Sequence, residues 1–327
     1  LALKVLITGG AGFIGSHLSE LLLQDKDTKV TVVDSLSTGK YQNIQHLTQN
    51  PNYRLIVAPV TDRSVLEPLV ADSDHVYHLA AAVGVRRIIE QPVETIETNI
   101  LGTEAVLALT AQYHKKTLVA STSEVYGKNT NVPFNEEDDS VFGSTTKSRW
   151  SYACSKAIDE FLALAYHKEK GLPCVIVRFF NTVGPRQTGR YGMVIPNLVK
   201  QALRNEALTI YGDGQQSRCF THVKDSIRCQ TALMNEPRAV GQVFNLGAQE
   251  EVTIEQLAKR IIEMTGSHSE LRYIPYEEAY EAGFEDMRRR VPDTTKVRNL
   301  LGFAPDSHLD DILKDVIGYF REHPETN

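Results

Sequence analysis

Tyr152 and Lys156 stand four residues apart at the start of a helical pattern, which puts both side chains on one helix face. A tyrosine titrating at about 10 is a poor base at neutral pH. A nearby ammonium and any further positive charge at the site would lower that value and let it take a proton from an alcohol. Upstream, an apolar run over 117–120 ends in Ser121, Thr122, Ser123 and Glu124. Ligands of open α/β sheets bind beyond the carboxyl ends of the strands, so these hydroxyls and this carboxylate are expected beside a substrate. Tyr152 is the expected base and Lys156 its activator. Thr122 or Ser123 would bond the proton path, with Glu124 close to the reacting carbons. A Tyr/Lys pair alone is common on exposed helices; the motif that precedes it gives it meaning.

That motif opens the chain. The apolar run 3–8 leads into Gly9, Gly10, Gly12 and Gly15, and then into a helical pattern beginning with Phe13 and Ile14. Gly10, Gly12 and Gly15 fit G-x-G-x-x-G, and Gly9, Gly12 and Gly15 fit a three-residue repeat. Both arrangements let backbone N–H groups approach a pyrophosphate at a helix N-terminus. The next apolar strand ends in Asp34, about 20 residues on, where a carboxylate binds ribose hydroxyls. A carboxylate there repels a 2′-phosphate, and no arginine follows it, so NAD is expected over NADP.

The elements that must hold these residues alternate. Strands are expected at 3–8, 30–34, 53–58, 75–79, 117–121 and 173–179. Helices are expected at 16–24, 63–70, 93–113 and 151–170, then at 194–203, 223–234, 254–264 and 309–320. This reads as an α/β fold: a Rossmann-type doubly wound parallel sheet over 1–181, with returns near 221–247. A smaller mixed α/β substrate lobe is expected to occupy most of 182–327. The acidic run Glu136-Glu137-Asp138-Asp139 reads as a solvated loop.

The bulk numbers are ordinary for a soluble globular protein. The chain has 327 residues, 42% of them hydrophobic and 23% charged, enough for a full core. A net charge of −6 argues against nucleic-acid binding. No apolar run approaches a membrane span, and the glycine motif begins too early for a signal peptide, so no membrane partner and a cytoplasmic location are expected. The four cysteines are scattered and the ten histidines form no ligand-spaced cluster, so neither a disulfide framework nor a metal site is expected.

Taken together, the motifs resemble the extended short-chain dehydrogenase/reductases that modify nucleotide sugars. The resemblance runs through Thr8–Gly15, Asp34, Asp62, His78-Leu79-Ala80-Ala81, Asn99-Ile100-Leu101-Gly102-Thr103, Ser121 to Gly127, Tyr152 to Lys156, Arg178-Phe179-Phe180-Asn181, Gly184-Pro185-Arg186 and Tyr211-Gly212-Asp213-Gly214. It implies tightly held NAD at Gly9, Gly12, Phe13, Ile14 and Gly15. It further implies Asp62 at the adenine, Leu79, Ala80, Ala81 and Asn99 along the cofactor path, and Lys156 on the nicotinamide ribose. Asn181 would face the substrate pyrophosphate and Tyr211 the nucleobase. Arg186, Arg190, Arg218, Arg289 and Arg290 are candidates for a diphosphate or a substrate carboxylate, which arginine grips through paired N–H bonds. The resemblance also implies a homodimer through the helices at 93–113 and 151–170.

Members of this family first oxidise the sugar at C4. Glu124 is similar to the glutamate of the 4,6-dehydratases and UDP-glucuronate decarboxylases, which act at C5. Lys147 to Tyr152 resembles the lead-in of the decarboxylase domain in the aminoarabinose–lipid A pathway and of plant UDP-apiose/UDP-xylose synthases. UDP-glucuronate decarboxylation, giving UDP-xylose or a 4-keto pentose, is therefore the first expectation. Gly189 to Pro196 departs from those enzymes and leaves the sugar and base open. The alternatives are a 4-epimerase of UDP-glucose or UDP-glucuronate, an NDP-sugar 4,6-dehydratase, and an NAD-sensing binding protein.

Overall fold

The computed structural model describes residues 2–82, 90–189, 193–279 and 287–324. Short runs of Val, Ile and Leu build its central sheet. These are β1 (Lys4–Thr8), β2 (Lys29–Asp34), β3 (Tyr53–Val57), β4 (His75–His78), β5 (Lys116–Thr122), β6 (Cys174–Phe179) and β11 (Gln242–Leu246). All pair in parallel, in the order β11-β6-β5-β4-β1-β2-β3. Leu6, Ile7, Val76, Leu118 and Val175 are shielded almost completely, as strands covered on both faces require. The six strands expected from the pattern form within two residues of their bounds. The seventh comes from the return segment, where Val243 and Phe244 alternate toward opposite faces.

Helices cover both sides. α1 (Phe13–Leu22) and α6 (Val223–Asn235) pack on the face that carries Val5, Ile7, Val30 and Val32. On the other face α2 (Arg63–Asp72) and α3 (Pro92–Gln112) pack on Leu6 and Val33, and α4 (Arg149–Lys170) follows on Val119 and Ile176. α1 starts at Phe13 rather than Ser16, directly behind the glycine turn. Strand order reverses between β1 and β4, so a crevice opens beyond their carboxyl ends.

A second cluster joins α5 (Val194–Leu203), α7 (Ile254–Thr265) and α8 (Leu309–Glu322) around Leu198, Ile210, Leu257 and Leu313. Small ladders knit it together. β7 (Thr182–Val183) pairs with β10 (Thr221–His222), and β8 (Leu208–Tyr211) with β13 (Leu271–Ile274). β9 (Ser217–Cys219) runs between β12 (Glu251–Thr253) and β14 (Arg289–Arg290).

The acidic run is not a solvated loop throughout. Glu136 is buried, and its carboxylate accepts the Asn245 N–H at 2.8 Å. Burial pushes its carboxyl up, with that bond pulling against it. Asn245 in turn accepts the Tyr126 hydroxyl at 2.7 Å, and Tyr126 accepts Arg178 Nη1 at 3.0 Å. Arg178 also grips Glu160 of α4 with two nitrogens, Nε at 3.0 Å and Nη2 at 2.7 Å. This buried network joins β6, β11 and α4 beneath the turn that follows β5. Arg178→Met would leave Glu160 buried without its cation, at a cost of about 3–5 kcal/mol. Urea unfolding of the variant is expected to show that loss; a change below about 1 kcal/mol would contradict it.

Candidate functional site

The crevice is a cleft of about 890 Å³ between the sheet's carboxyl edge and the second cluster. Its floor is the turn after β1. Gly9 has φ of +75°, and a Cβ there would meet Ala80 N at 2.7 Å. A Cβ on Gly15 would strike Gly9 O at 2.5 Å and Gly10 Cα at 2.6 Å. Only hydrogens fit, so the turn lies flat against the loop after β4 and α1 points its N-terminus into the cleft. Gly10 faces Val32 instead, so the lining set is Gly9, Gly12 and Gly15, with Phe13 and Ile14.

Asp34, ending β2, lines the same cleft and accepts N–H from Ala11 at 2.9 Å and Leu36 at 2.8 Å. Burial pushes its carboxyl up while these bonds pull against it. Leu79, Ala80 and Ala81 form the next wall. Two expected cofactor residues serve from behind. Asp62 caps α2, accepting N–H from Ser64 at 3.1 Å, and the wall beside it is Val60 and Thr61. Asn99 accepts Ala82 N–H at 2.7 Å and donates to Ser155 Oγ at 3.3 Å, bracing the loop against α4. A glycine-walled turn, an open helix N-terminus and a buried acidic acceptor fit a dinucleotide such as NAD.

Tyr152 and Lys156 face the cleft together from the first turns of α4, beside Thr122, Ser123 and Glu124 at the end of β5. Thr122 accepts the Glu124 N–H at 3.2 Å and stands near Tyr152. Burial pushes the Tyr152 phenol above its ordinary value, and the negative charges of Glu124 and Asp159 push it further. Thr122 and Arg290 oppose that rise. Lys156, the expected activator of Tyr152, lies on the same helix face and lines the same cleft. Lys156 Nζ is held at 2.7 Å by Asp159, and this carboxylate offsets its charge.

Glu124 lines the part of the cleft where the substrate is expected. Its Oε1 lies 2.6 Å from Arg290 Nη2, and its Oε2 lies 3.0 Å from Arg149 Nη1. The second contact is an ion pair not aligned as a hydrogen bond. Burial alone would raise the Glu124 carboxyl, but Arg149, Arg290 and Arg218 together bring it down to about 2. Arg218 lines the cleft and ties Nη1 to Ser217 O at 2.8 Å.

The arginine run divides by strand alternation. Arg290 points inward, whereas Arg289 is exposed and bound to Glu251 at 2.8 Å through two nitrogens. Arg289 is therefore not brought to the cleft, contrary to expectation, and Arg288 likewise pairs with Asp213 outside. Asn181 and Tyr211 line the cleft. Arg186 lines it too, while holding Ser16 at 3.1 Å and Glu20 on α1. Arg190 lies outside the described residues. Arg149 was not among the expected site residues. Its signal was present: it precedes Tyr152 by three residues and so shares its helix face.

A family model described as GDP-mannose 4,6 dehydratase matches residues 6–316. The UDP-N-acetyl-alpha-D-glucosaminuronate decarboxylase of Bacillus cytotoxicus is 43% identical, covering 98% of each chain. UDP-glucuronic acid decarboxylase 1 of Xenopus tropicalis is 37% identical over 98% of this chain and 73% of its own. Among solved structures, UDP-glucose 4-epimerase of Thermotoga maritima with UDP-glucose superposes with a TM-score of 0.88 at 32% identity, covering 98% of this chain and 100% of that one. The UDP-glucuronic acid 4-epimerase of Bacillus cereus, in complex with UDP-glucuronic acid and NAD, gives 0.87 at 32% identity, covering 98% and 99%.

The depressed Glu124 carboxyl is a stability statement. A folded value of about 2 against an ordinary 4.5 stabilises the fold above pH 4.5, and that contribution drains away as pH falls toward 2. Glu124→Gln is expected to cost on the order of 3 kcal/mol at neutral pH. The gap between variant and wild type should close between pH 4.5 and about 2 in denaturant melts. A gap independent of pH would contradict the ion-pair geometry.

Proposed function

This chain belongs to the GDP-mannose 4,6-dehydratase-type family of extended short-chain dehydrogenase/reductases, NAD-dependent enzymes of nucleotide-sugar chemistry, and from that membership we propose that it decarboxylates a UDP-linked hexuronate through a 4-keto intermediate. One observation carries the choice of substrate. Arg149, Arg290 and Arg218 all act on the Glu124 carboxylate at the end of the cleft expected for the sugar. That concentration of guanidinium groups suits a sugar that brings its own carboxylate.

NAD held by Gly9, Gly12, Gly15 and Asp34 supplies the oxidant for C4. Tyr152 takes the O4 proton, with Thr122 near its hydroxyl and Lys156 on the same helix face. The ketone formed at C4 is β to the C6 carboxylate. The C5–C6 bond then breaks, CO₂ leaves, and the electron pair passes into the carbonyl until C5 takes up a proton. Arg149 and Arg290 would seat the carboxylate before it leaves. Asn181, Arg186 and Tyr211 line the wall proposed for the nucleotide.

A 4,6-dehydratase needs a base at C5, and a carboxylate held near 2 between arginines is a weak one. Relatives named for both UDP-glucuronate and its N-acetylamino counterpart make both uronates substrates to test, the N-acetylated one first because of its 43% identical relative. Product mass decides. Loss of CO₂ from either uronate supports the proposal. Unchanged mass with inverted C4 selects epimerisation, and loss of water from UDP-glucose selects dehydration. Arg290→Met is expected to lower kcat/KM for the uronate by at least about a hundredfold. A loss below tenfold would remove the arginine argument.

We also propose a cytoplasmic homodimer. Four free cysteines suit a reducing compartment, and among the described residues no helix is long and apolar enough to cross a membrane. α3 and α4 pack on each other and leave Leu101 53%, Ile158 45% and Phe161 74% exposed. Such a patch suits a symmetric copy of itself. Phe161→Asp with Leu101→Asp is expected to halve the mass seen by light scattering; a wild-type monomer would end the idea.

A further inference from the structure

Arg290 sits on a strand of two residues, and so short a ladder holds its register weakly. β14 pairs Arg289 with Ser217 and Arg290 with Arg218, and the Ser217 N–H donates to Arg288 O at 2.9 Å. A slip of one residue would turn Arg289 toward the cleft and Arg290 away from it. The register must be held by the residues that follow.

The segment after β5 holds them. The Phe134 N–H donates to Val291 O at 2.8 Å, and the Asp293 N–H donates to Phe134 O at 2.8 Å. Between these bonds Pro292 lies against Gly247, where a Cβ would come within 2.8 Å of the proline ring. The buried side chain of Asn245 closes the junction. Its Nδ2 donates to Phe134 O at 2.8 Å and to Asp293 O at 3.2 Å, and its Oδ1 accepts the Tyr126 hydroxyl at 2.7 Å. The Tyr126 ring also stacks on Phe134, with centroids 4.6 Å apart.

Valence fixes which way this amide faces. Arg178 Nη1 only donates, so at 3.0 Å it takes a lone pair of the Tyr126 oxygen and leaves the phenolic proton for Asn245. The amide oxygen therefore faces Tyr126, and its two N–H groups face the two carbonyls. An aliphatic side chain of the same size would make none of the three bonds.

These contacts form a closed circuit. Glu124 lies two residues before Tyr126, and Arg290 three residues before Asp293. Asn245 joins Tyr126 to Asp293, and the 2.6 Å ion pair joins Arg290 to Glu124. We propose that Asn245 is a positioning residue: its amide locks β14 in the register that turns Arg290, and not Arg289, onto Glu124 at the end of the cleft expected for the sugar. Its effect on turnover rests on the proposed role of Arg290 with a uronate; its hold on the Glu124–Arg290 pair does not.

The test is a pair of double-mutant cycles on the NAD-loaded protein. The first reads urea unfolding at neutral pH without sugar. Glu124→Gln lowers the midpoint of the wild type, and with Asn245→Ala also present that drop is expected to shrink by at least about a third. A drop that does not shrink overturns the proposal. The second reads kcat/KM for the uronate. Asn245→Ala is expected to cost about tenfold in the wild type and less than about twofold in the Arg290→Met background. Equal losses in the two backgrounds, which a merely loosened fold would give, overturn it. If Asn245→Ala does not fold, Tyr126→Phe takes its place in both cycles. It removes the hydroxyl that orients the amide, keeps the ring stack, and is judged by the same comparisons. If neither uronate is decarboxylated, the reaction assignment falls, and the first cycle still decides this one.

Discussion

The inner face of α4 carries charge where a helix packed on a sheet ordinarily carries leucine. Arg149, Lys156, Asp159 and Glu160 are all buried there. A buried ion must be paired or it costs several kcal/mol, so each of them dictates a neighbour. Arg149 demands Glu124 at the end of β5, and Glu160 demands Arg178 on β6 and Ser121 on β5. Asp159 answers Lys156 within the helix. Helix α4 can therefore sit in only one register against the sheet. Tyr152, on the same face, is placed by its neighbours' electrostatics more than by apolar packing.

The same constraint separates what was legible in the sequence from what was not. The glycine turn was legible because its chemistry is local: Gly9, Gly12 and Gly15 lie within one turn and one helix start. Asp34 and the Tyr152/Lys156 pair were legible because strand ends and helix spacing are periodic. The pairing of Glu124 with Arg290 was not, since it joins β5 to a two-residue strand late in the chain whose inward face depends on pairing with β9. Three consecutive arginines look alike in sequence. One ladder sends Arg290 inward and leaves Arg289 on Glu251 outside. The burial of Glu136 was hidden for the same reason, because its partner, Asn245, sits on the returning strand β11.

The cleft thus has two electrostatic characters. At the glycine turn, partial positive charge comes from backbone N–H groups, with the acid Asp34 beside them. At the far end the positive charge is formal and concentrated on Arg149, Arg218 and Arg290. The first environment suits a dinucleotide whose phosphates meet amides. The second suits a ligand carrying a localised carboxylate. Tyr152 lies between them, with Glu124 disfavouring its ionisation and Arg290 favouring it.

Glu124 then has a role that does not require it to move a proton. Without it, Arg149 and Arg290 would lose the carboxylate that both contact. With it, they stay converged and oriented before substrate arrives, so less of the binding energy goes into assembling them. A substrate carboxylate entering beside Glu124 would share the arginines and would itself be poorly solvated. A carboxylate lost as neutral CO₂ relieves that repulsion in the step that breaks the C5–C6 bond. Preorganised cations that seat the acid, next to a fixed anion that makes its departure favourable, would direct the 4-keto intermediate toward decarboxylation over return to a hexose.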